Sequence, residues 1–366
     1  MNLLIIEEQS DFIGRVKATF EAAGTGTKVL APDDVGLVTK LEEGKSYEEQ
    51  FFERLQAIHK QYSIDLVLLD TDLSRFKEIA ISQSLCRQAL QELGIPVCRY
   101  KKTYSQTNSN RLQDLKRIAR EGASAVWVPP QLVNGEDLVA LVPWLEAVEQ
   151  GFEKIRDRLI AEPVLLQRPL GPAGVLSRVL GKGTLRADLL GYTAQNFFFF
   201  AAPIEEDGVG AKFTPNPQIA ATRLGYWLLN YILTFPGPIL NVPAAAAMLN
   251  IDVDSFMNLE VQKLVEPALY KGPFDAVAIY YWRDQLGSVV EACGGDIAMA
   301  DSVKLLSLRY VDDKTPGAPS YYCVLTGAPI KRADAASPNP DWIPPGADLT
   351  RISQDLFEEL DPMLSM

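Results

Sequence analysis

Along the first 150 residues, hydrophobic positions alternate between short continuous runs and helical stripes. LLIIEE (3–8) is an apolar run ended by two acids. Residues 11–23 place Phe12, Val16 and Phe20 on one helical face, with Gly24 as the stop. KVLAP (28–32) reads as a second strand, and 47–62 as a helix with Phe51, Leu55 and Ile58 on one stripe. IDLVLLD (64–70) is uninterrupted, as in a strand covered on both faces. A helix runs to Leu93 and stops at Gly94. IPVCRY (95–100), a helix at 110–121, ASAVWV (123–128) and a helix at 134–149 complete the series. Five strand–helix units in this order predict an α/β fold, a five-stranded parallel doubly wound sheet with right-handed crossovers.

Beyond residue 150 the pattern is mixed. WLEAVEQGFEKIRDRLIAEPV (144–164) prolongs the last helix, and Pro163, Pro169 and Pro172 with Gly171, Gly174 and Gly181 then punctuate the chain. This divides it into residues 1–150, a connector at 151–185, and a mixed α/β or α-rich C-terminal domain at 186–366. In the last part, NFFFFAAP (196–203) predicts a buried strand and ATRLGYWLLNYILTF (221–235) an apolar helix. Residues 243–267 read as two helices, the second capped by Asp252 or Asp254. Helices around YYWRDQLGSVVEA, a strand at KLLSLRYV (304–311) and another at SYYCVLTGAP (320–329) follow. LTRISQDLFEELDPM (349–363) is an acidic helix with Ile352, Leu356 and Leu360 on one face. It either closes the domain or docks in a partner groove.

Composition narrows the function. The 366 residues are 47% apolar and 22% charged, which suits two or three ordinary cores and excludes disorder. No run nears roughly 18 consecutive apolar residues, and the start lacks a basic leader, so a cytoplasmic protein without a membrane span is expected. The net charge is −12, shared by both halves, which disfavours non-specific nucleic-acid binding; the local exception is the basic stretch at 154–186. Cys86, Cys98, Cys293 and Cys323 offer no zinc spacing, and Cys86 and Cys98 read as small buried hydrophobes. His59, the single histidine, lies in an amphipathic helix with no nucleophile motif beside it, so no catalytic residue is assigned.

In open parallel sheets, chemistry collects beyond the carboxyl ends of the strands. Glu7 and Glu8 follow the first strand, Asp70 and Asp72 the third, Lys101 and Lys102 the fourth, Pro129 and Pro130 the fifth. With strands one and three adjacent, four acids meet at one rim, a hard-oxygen set suited to Mg²⁺. The alternative is a row of polar strand ends that each cap the next loop.

Four of these segments carry a resemblance. LLIIEEQS, IDLVLLDTDLSR, IPVCRYKK and GASAVWVPPQ, in this order and spacing, make residues 1–150 similar to a response-regulator receiver domain. The resemblance implies Asp70 as the phospho-accepting residue, and Glu7, Glu8 and Asp70 as ligands of Mg²⁺. Two family residues are missing: the fifth-strand lysine falls on Pro129 and the fourth-strand threonine or serine on Lys101. Residues 33–46 form an insertion. Lys101 or Lys102 would have to reach a phosphate from the adjacent strand. Without a placed cation, transfer to Asp70 loses several kcal/mol of stabilisation.

Other motifs are weaker. The spacing in 243–264 resembles a helix-turn-helix, but its second helix holds three acids and one lysine, so no DNA-binding residue is assigned. RYVDD (309–313) copies a polymerase-palm turn without the strand that should follow it. Gly174 to Lys182 imitates a phosphate loop with the wrong glycine spacing. Together these features predict a non-catalytic regulatory or adaptor protein of bacterial signalling. It would dock partner proteins through a degenerate receiver, a use that resembles interaction modules of stress and defence pathways. It would need no cofactor unless Mg²⁺ occupies the acidic rim, and homo-oligomerisation stays open. The alternatives are a response regulator phosphorylated at Asp70 with Mg²⁺, a DNA-binding regulator, and an enzyme with a C-terminal site near Asp312 and Asp313.

Overall fold

The structure is a computed structural model that describes residues 1–42, 44, 46–73, 81–102, 107–135, 137–166, 170–192 and 216–364. The phenylalanine run at 196–203 lies outside the described residues. The chain divides into two compact units, each discontinuous in sequence. The first comprises Met1–Ser105, Glu121–Leu170 and Ala202–Tyr226, the second Gln106–Arg120, Gly171–Ala201 and Trp227–Met366.

In the first unit, β1 (Asn2–Ile6), α1 (Ser10–Ala23), β2 (Lys28–Leu30), α2 (Tyr47–Tyr62), β3 (Leu66–Asp70), α3 (Gln83–Leu93) and β4 (Val97–Tyr100) alternate as the pattern predicts. After β4 the chain forms α4 (Asn108–Glu121), then β5 (Val126–Trp127) and α5 (Leu141–Ala161). All strand pairs are parallel, in the order β2-β1-β3-β4-β5. This receiver-like order puts β1 and β3 side by side at the centre. Leu3 to Ile6 and Leu66 to Leu69 are 0% exposed, as a strand covered on both faces requires. Ser46 and Ser82 start α2 and α3 by accepting the N–H of Glu49 and Leu85. The last helix begins at Leu141 rather than 134, because Pro143 is tolerated only in a first turn. Cys86 and Cys98 are fully buried and free, filling the core as small hydrophobes.

A later segment also packs in this unit. In α8 (Pro217–Trp227), counted after α6 (Gly171–Val179) and α7 (Arg186–Leu190), the Thr222 hydroxyl and the Gln218 amide donate to the Gly94 carbonyl at 2.6 and 3.0 Å. The Val97 N–H donates to the Tyr226 hydroxyl oxygen at 2.7 Å. Gly94 has φ 69° and closes α3; a Cβ there would stand 2.9 Å from the Ile219 nitrogen.

In the second unit, residues of α4 are bonded to the C-terminal part of the chain. Arg111 Nε donates to the Val324 carbonyl at 3.0 Å, and Lys116 Nζ to the Met363 carbonyl at 2.6 Å. The apolar helix expected at 221–235 starts at Pro217, and its last turn, Leu228–Ile232, widens to a π-helix. β6 (Ile239–Asn241) pairs antiparallel with β7 (Tyr280–Trp282), which leads into α12 (Arg283–Ala292). Between them lie α9 (Val242–Met248), α10 (Val253–Phe256) and α11 (Leu259–Val265), three helices where two are predicted. Asp252 caps α10 by accepting the Ser255 N–H, and Asn258 interrupts the expected second helix by capping α11.

Two further expectations are corrected. KLLSLRYV is not a strand: consecutive turns carry residues 300–306, and a single bridge joins Tyr310 to Ile251. SYYCVLTGAP folds back on itself as β8 (Tyr321–Cys323) and β9 (Ala328–Ile330), with Gly327 at φ 70° in the turn. β10 (Thr350–Arg351) joins β8, so the acidic helix α13 starts only at Gln354. Ile352 and Leu360 are 0% and 3% exposed, so this end of the chain is packed.

Gly94→Ala combines an unfavourable φ with a close backbone approach. It should cost about 2 kcal/mol, read as a lower urea midpoint at unchanged slope.

Candidate functional site

The register of the sheet brings the candidate residues together. Ile6 pairs with Leu69 and Asp70 with Tyr100, so Glu7, one step beyond β1, comes beside Asp70 at the end of β3. Side chains along an extended segment alternate, so Tyr100 and Lys102 project to one side and Lys101 to the other. Lys101 is exposed, and Lys102 reaches the acids. The period of two thus decides between the two lysines.

Glu7 is 2% exposed. Its Oε1 accepts the N–H groups of Glu8 and Gln9 at 2.7 and 2.6 Å. Its Oε2 accepts the Tyr100 hydroxyl and lies 2.6 Å from Lys102 Nζ. Three hydrogen bonds and one ion pair therefore act on this single carboxylate. Asp70 is 4% exposed; its Oδ1 accepts the Asp72 N–H at 3.0 Å, and its Oδ2 lies 3.3 Å from Lys102 Nζ. The Phe12 ring stacks on Tyr100 at 5.1 Å and also lies 5.0 Å from the Lys102 ammonium. Gln83 secures the end of β3 by donating to the Asp70 and Thr71 carbonyls.

These contacts set the charges. Burial disfavours ionised Glu7, but Lys102, Tyr100 and the Gln9 N–H outweigh it and hold its pKa below the usual value. Burial also acts on Asp70, and there the Glu7 charge adds to it. Although the Asp72 N–H and Lys102 pull the other way, the Asp70 carboxyl is pushed up to about 6. Burial raises the Tyr100 pKa, so its hydroxyl stays a neutral donor.

The acids implied as Mg²⁺ ligands do not fit that ion in this arrangement. Mg²⁺ demands several free oxygens at about 2.1 Å, whereas Glu7 already accepts three hydrogen bonds and the shared space between Glu7 and Asp70 holds an ammonium. Glu8 is half-buried and Asp72 exposed. Among the described residues, no group of three or more His, Cys, Asp or Glu side chains could hold a metal. Sequence reasoning missed Tyr100, which reads as another apolar strand residue. It also missed Arg99, which on the opposite side stacks over Trp127 at 4.6 Å and bonds Gln83 at 2.9 Å.

The other candidates serve structure. Asp312 caps its own loop, accepting the Lys314 N–H and the Thr315 hydroxyl, both at 3.1 Å. Buried Asn250 grips the same loop through its amide, donating to the Asp312 and Thr315 carbonyls at 2.8 and 3.0 Å. Asp313 is exposed. In the segment resembling a helix-turn-helix, three helices lie between the antiparallel strands β6 and β7, and Leu269 makes a single bridge to Tyr281. Its exposed positions include Asp254, Met257, Leu259, Lys263 and Glu266; Lys263 is paired with Glu260 at 2.8 Å. Compared with family models, curated proteins and solved structures, the chain matches none. Among the described residues no helix is long and apolar enough to cross a membrane.

The pKa of Asp70 makes stability depend on pH. Below about pH 4 its carboxyl is protonated in both folded and unfolded chains and contributes nothing. As pH rises from about 4 to 6 the unfolded chain releases the proton while the folded chain keeps it, so stability falls; above about 6 the loss is complete. Glu7 has the opposite sign: its contribution is present near neutral pH and is lost as pH falls through its depressed folded pKa. Asp70→Asn should therefore gain about 2 kcal/mol at pH 8 and almost nothing at pH 4, measured by urea denaturation at both pH values.

Proposed function

We propose that the first unit is a degenerate receiver that docks partner proteins without being phosphorylated, within a non-catalytic regulatory or adaptor protein. The observation that carries this reading is the closed acidic site, in which Glu7 accepts three hydrogen bonds and the Lys102 ammonium lies between Glu7 and Asp70. Phosphoryl transfer to Asp70 needs an ionised nucleophile and mobile or placed cations around the phosphoryl oxygens. Here the one bridging cation is engaged with Glu7, and Pro129 stands where the family lysine would be.

The test is a thermal-shift titration of the full chain and Asp70→Asn with Mg²⁺ and beryllofluoride. A ligand that binds the folded state raises its melting temperature by mass action. Neither protein should shift. A rise of several degrees in the wild type, absent from Asp70→Asn, would establish a working phospho-acceptor and overturn the proposal.

The helix-turn-helix-like spacing of residues 243–264, held between β6 and β7, favours a second reading, binding of duplex nucleic acid. Against it stand the acids of α10 and α11, which repel phosphates, and the pairing of Lys263 with Glu260. Titration of labelled duplex DNA at about 50 mM salt, where phosphate contacts are strong, separates the two. The docking reading expects no binding; salt-sensitive binding abolished by Lys263→Glu would establish the other.

A further inference from the structure

In the second unit β8 is the middle strand of the sheet β10-β8-β9, so its side chains have neighbours on both flanks. Opposite residues of paired strands share a face, and residues two apart return to it. Cys323 of β8 pairs with Arg351 of β10, and Tyr321 pairs with Ile330 of β9, two residues before Arg332. Arg351, Tyr321 and Arg332 therefore stand on one face, with the tyrosine in the middle. Both guanidinium groups lie over its ring, 4.5 Å from the centroid for Arg351 and 5.3 Å for Arg332. The two cations are thus within about 10 Å of each other, roughly one Debye length.

Nothing in the unit neutralises this pair. Arg332 Nε donates to the Pro319 carbonyl at 2.5 Å, and Arg351 Nη1 to the Thr350 carbonyl at 2.7 Å. Each guanidinium spends one of its five N–H groups on backbone. Among the described residues neither has a carboxylate within ion-pair distance, and the Tyr321 hydroxyl has no hydrogen-bond partner. By contrast, Arg283 reaches Asp348 at 2.5 Å, and Arg309 reaches Asp252 and Asp254 at 2.6 Å. In a chain of net charge −12, two adjacent arginines without an acid are a departure from its own pattern. Arg332 is exposed, and Arg351 and Tyr321 are half-buried, so the three are open to solvent.

We infer that Arg332 and Arg351, arranged about Tyr321, bind a small soluble phosphoanion, and that a diphosphate fits them best. Each guanidinium fork matches two oxygens of a phosphoryl group, and a diphosphate offers one such group to each fork. The ring contacts and the backbone carbonyls hold the forks in place before the ligand arrives, which lowers the ordering cost of binding. This inference goes beyond the docking reading, concerns the other unit and does not depend on it.

Isothermal titration calorimetry of the full chain at about 150 mM NaCl, where diffuse surface charge is screened, tests this. The probes are sodium pyrophosphate, phosphate and sulfate. Pyrophosphate should bind once per chain and more tightly than the other two. Arg332→Gln and Arg351→Gln should each weaken it at least roughly tenfold, as loss of a charged hydrogen-bond donor does. Arg309→Gln, which removes a paired arginine, should leave it unchanged. Arg351→Lys keeps the charge without the fork and should recover only part of the affinity. It also replaces Arg351→Gln should that variant fail to fold, as judged by far-UV circular dichroism. No heat beyond that of matched NaCl would overturn the inference, as would pyrophosphate binding that survives in Arg332→Gln/Arg351→Gln. Tighter binding of a short oligoglutamate peptide than of pyrophosphate would overturn it too, assigning the arginines to an acidic protein partner.

Discussion

Two carboxylates held at the ends of neighbouring parallel strands repel each other, and burial raises the cost of keeping both ionised. The arrangement at Glu7 and Asp70 answers that cost with one bridging ammonium, two backbone N–H groups, one tyrosine hydroxyl and an elevated pKa on the second acid. Each part is positioned by the sheet. The register of β1 on β3 brings the acids together, β4 delivers Tyr100 and Lys102, and the stack of Phe12 on Tyr100 fixes the hydroxyl. A change in strand order or a slip of one residue would separate the cation from the acids.

Much of this geometry was legible in the chain. Continuous apolar runs identify β1 and β3 because a parallel sheet covered on both faces has no polar side to show. Acids placed directly after such runs then point to the rim at Glu7 and Asp70. Choosing between Lys101 and Lys102 needed the pairing of Asp70 with Tyr100, which sets the phase of the alternation. Tyr100 was hidden for a different reason. A tyrosine in an apolar strand looks like core until its hydroxyl has a partner, and that partner, Glu7, is 93 residues away in sequence.

The second unit was less legible because its elements are short and its decisive contacts are long-range. KLLSLRYV has strand propensity, yet Leu305 is 91% exposed and the neighbouring turns close locally. Asn258 reads as an ordinary helical position, but its side chain caps α11 and breaks the expected helix. Asn250 looks like a turn residue. Only the fold shows it, at φ 55°, holding a loop more than 60 residues further along the chain. Propensity is a weak prior wherever one buried amide can organise several backbone groups.

On the reading proposed above, the difference between a tethered and a free cation bears on signalling. A site filled by an exchangeable ion and an exchangeable phosphoryl group has several states, and a conformational equilibrium moves only when a ligand prefers one of them. Lys102 is covalently part of the chain and its effective concentration never changes. The Glu7–Asp70 pair is thereby kept beside one fixed positive charge, with Tyr100 and the end of β4 held to it. On the docking reading proposed above, such a domain keeps the surface of a doubly wound sheet while giving up the free energy that would drive a switch. On that reading, regulation enters through what binds that surface.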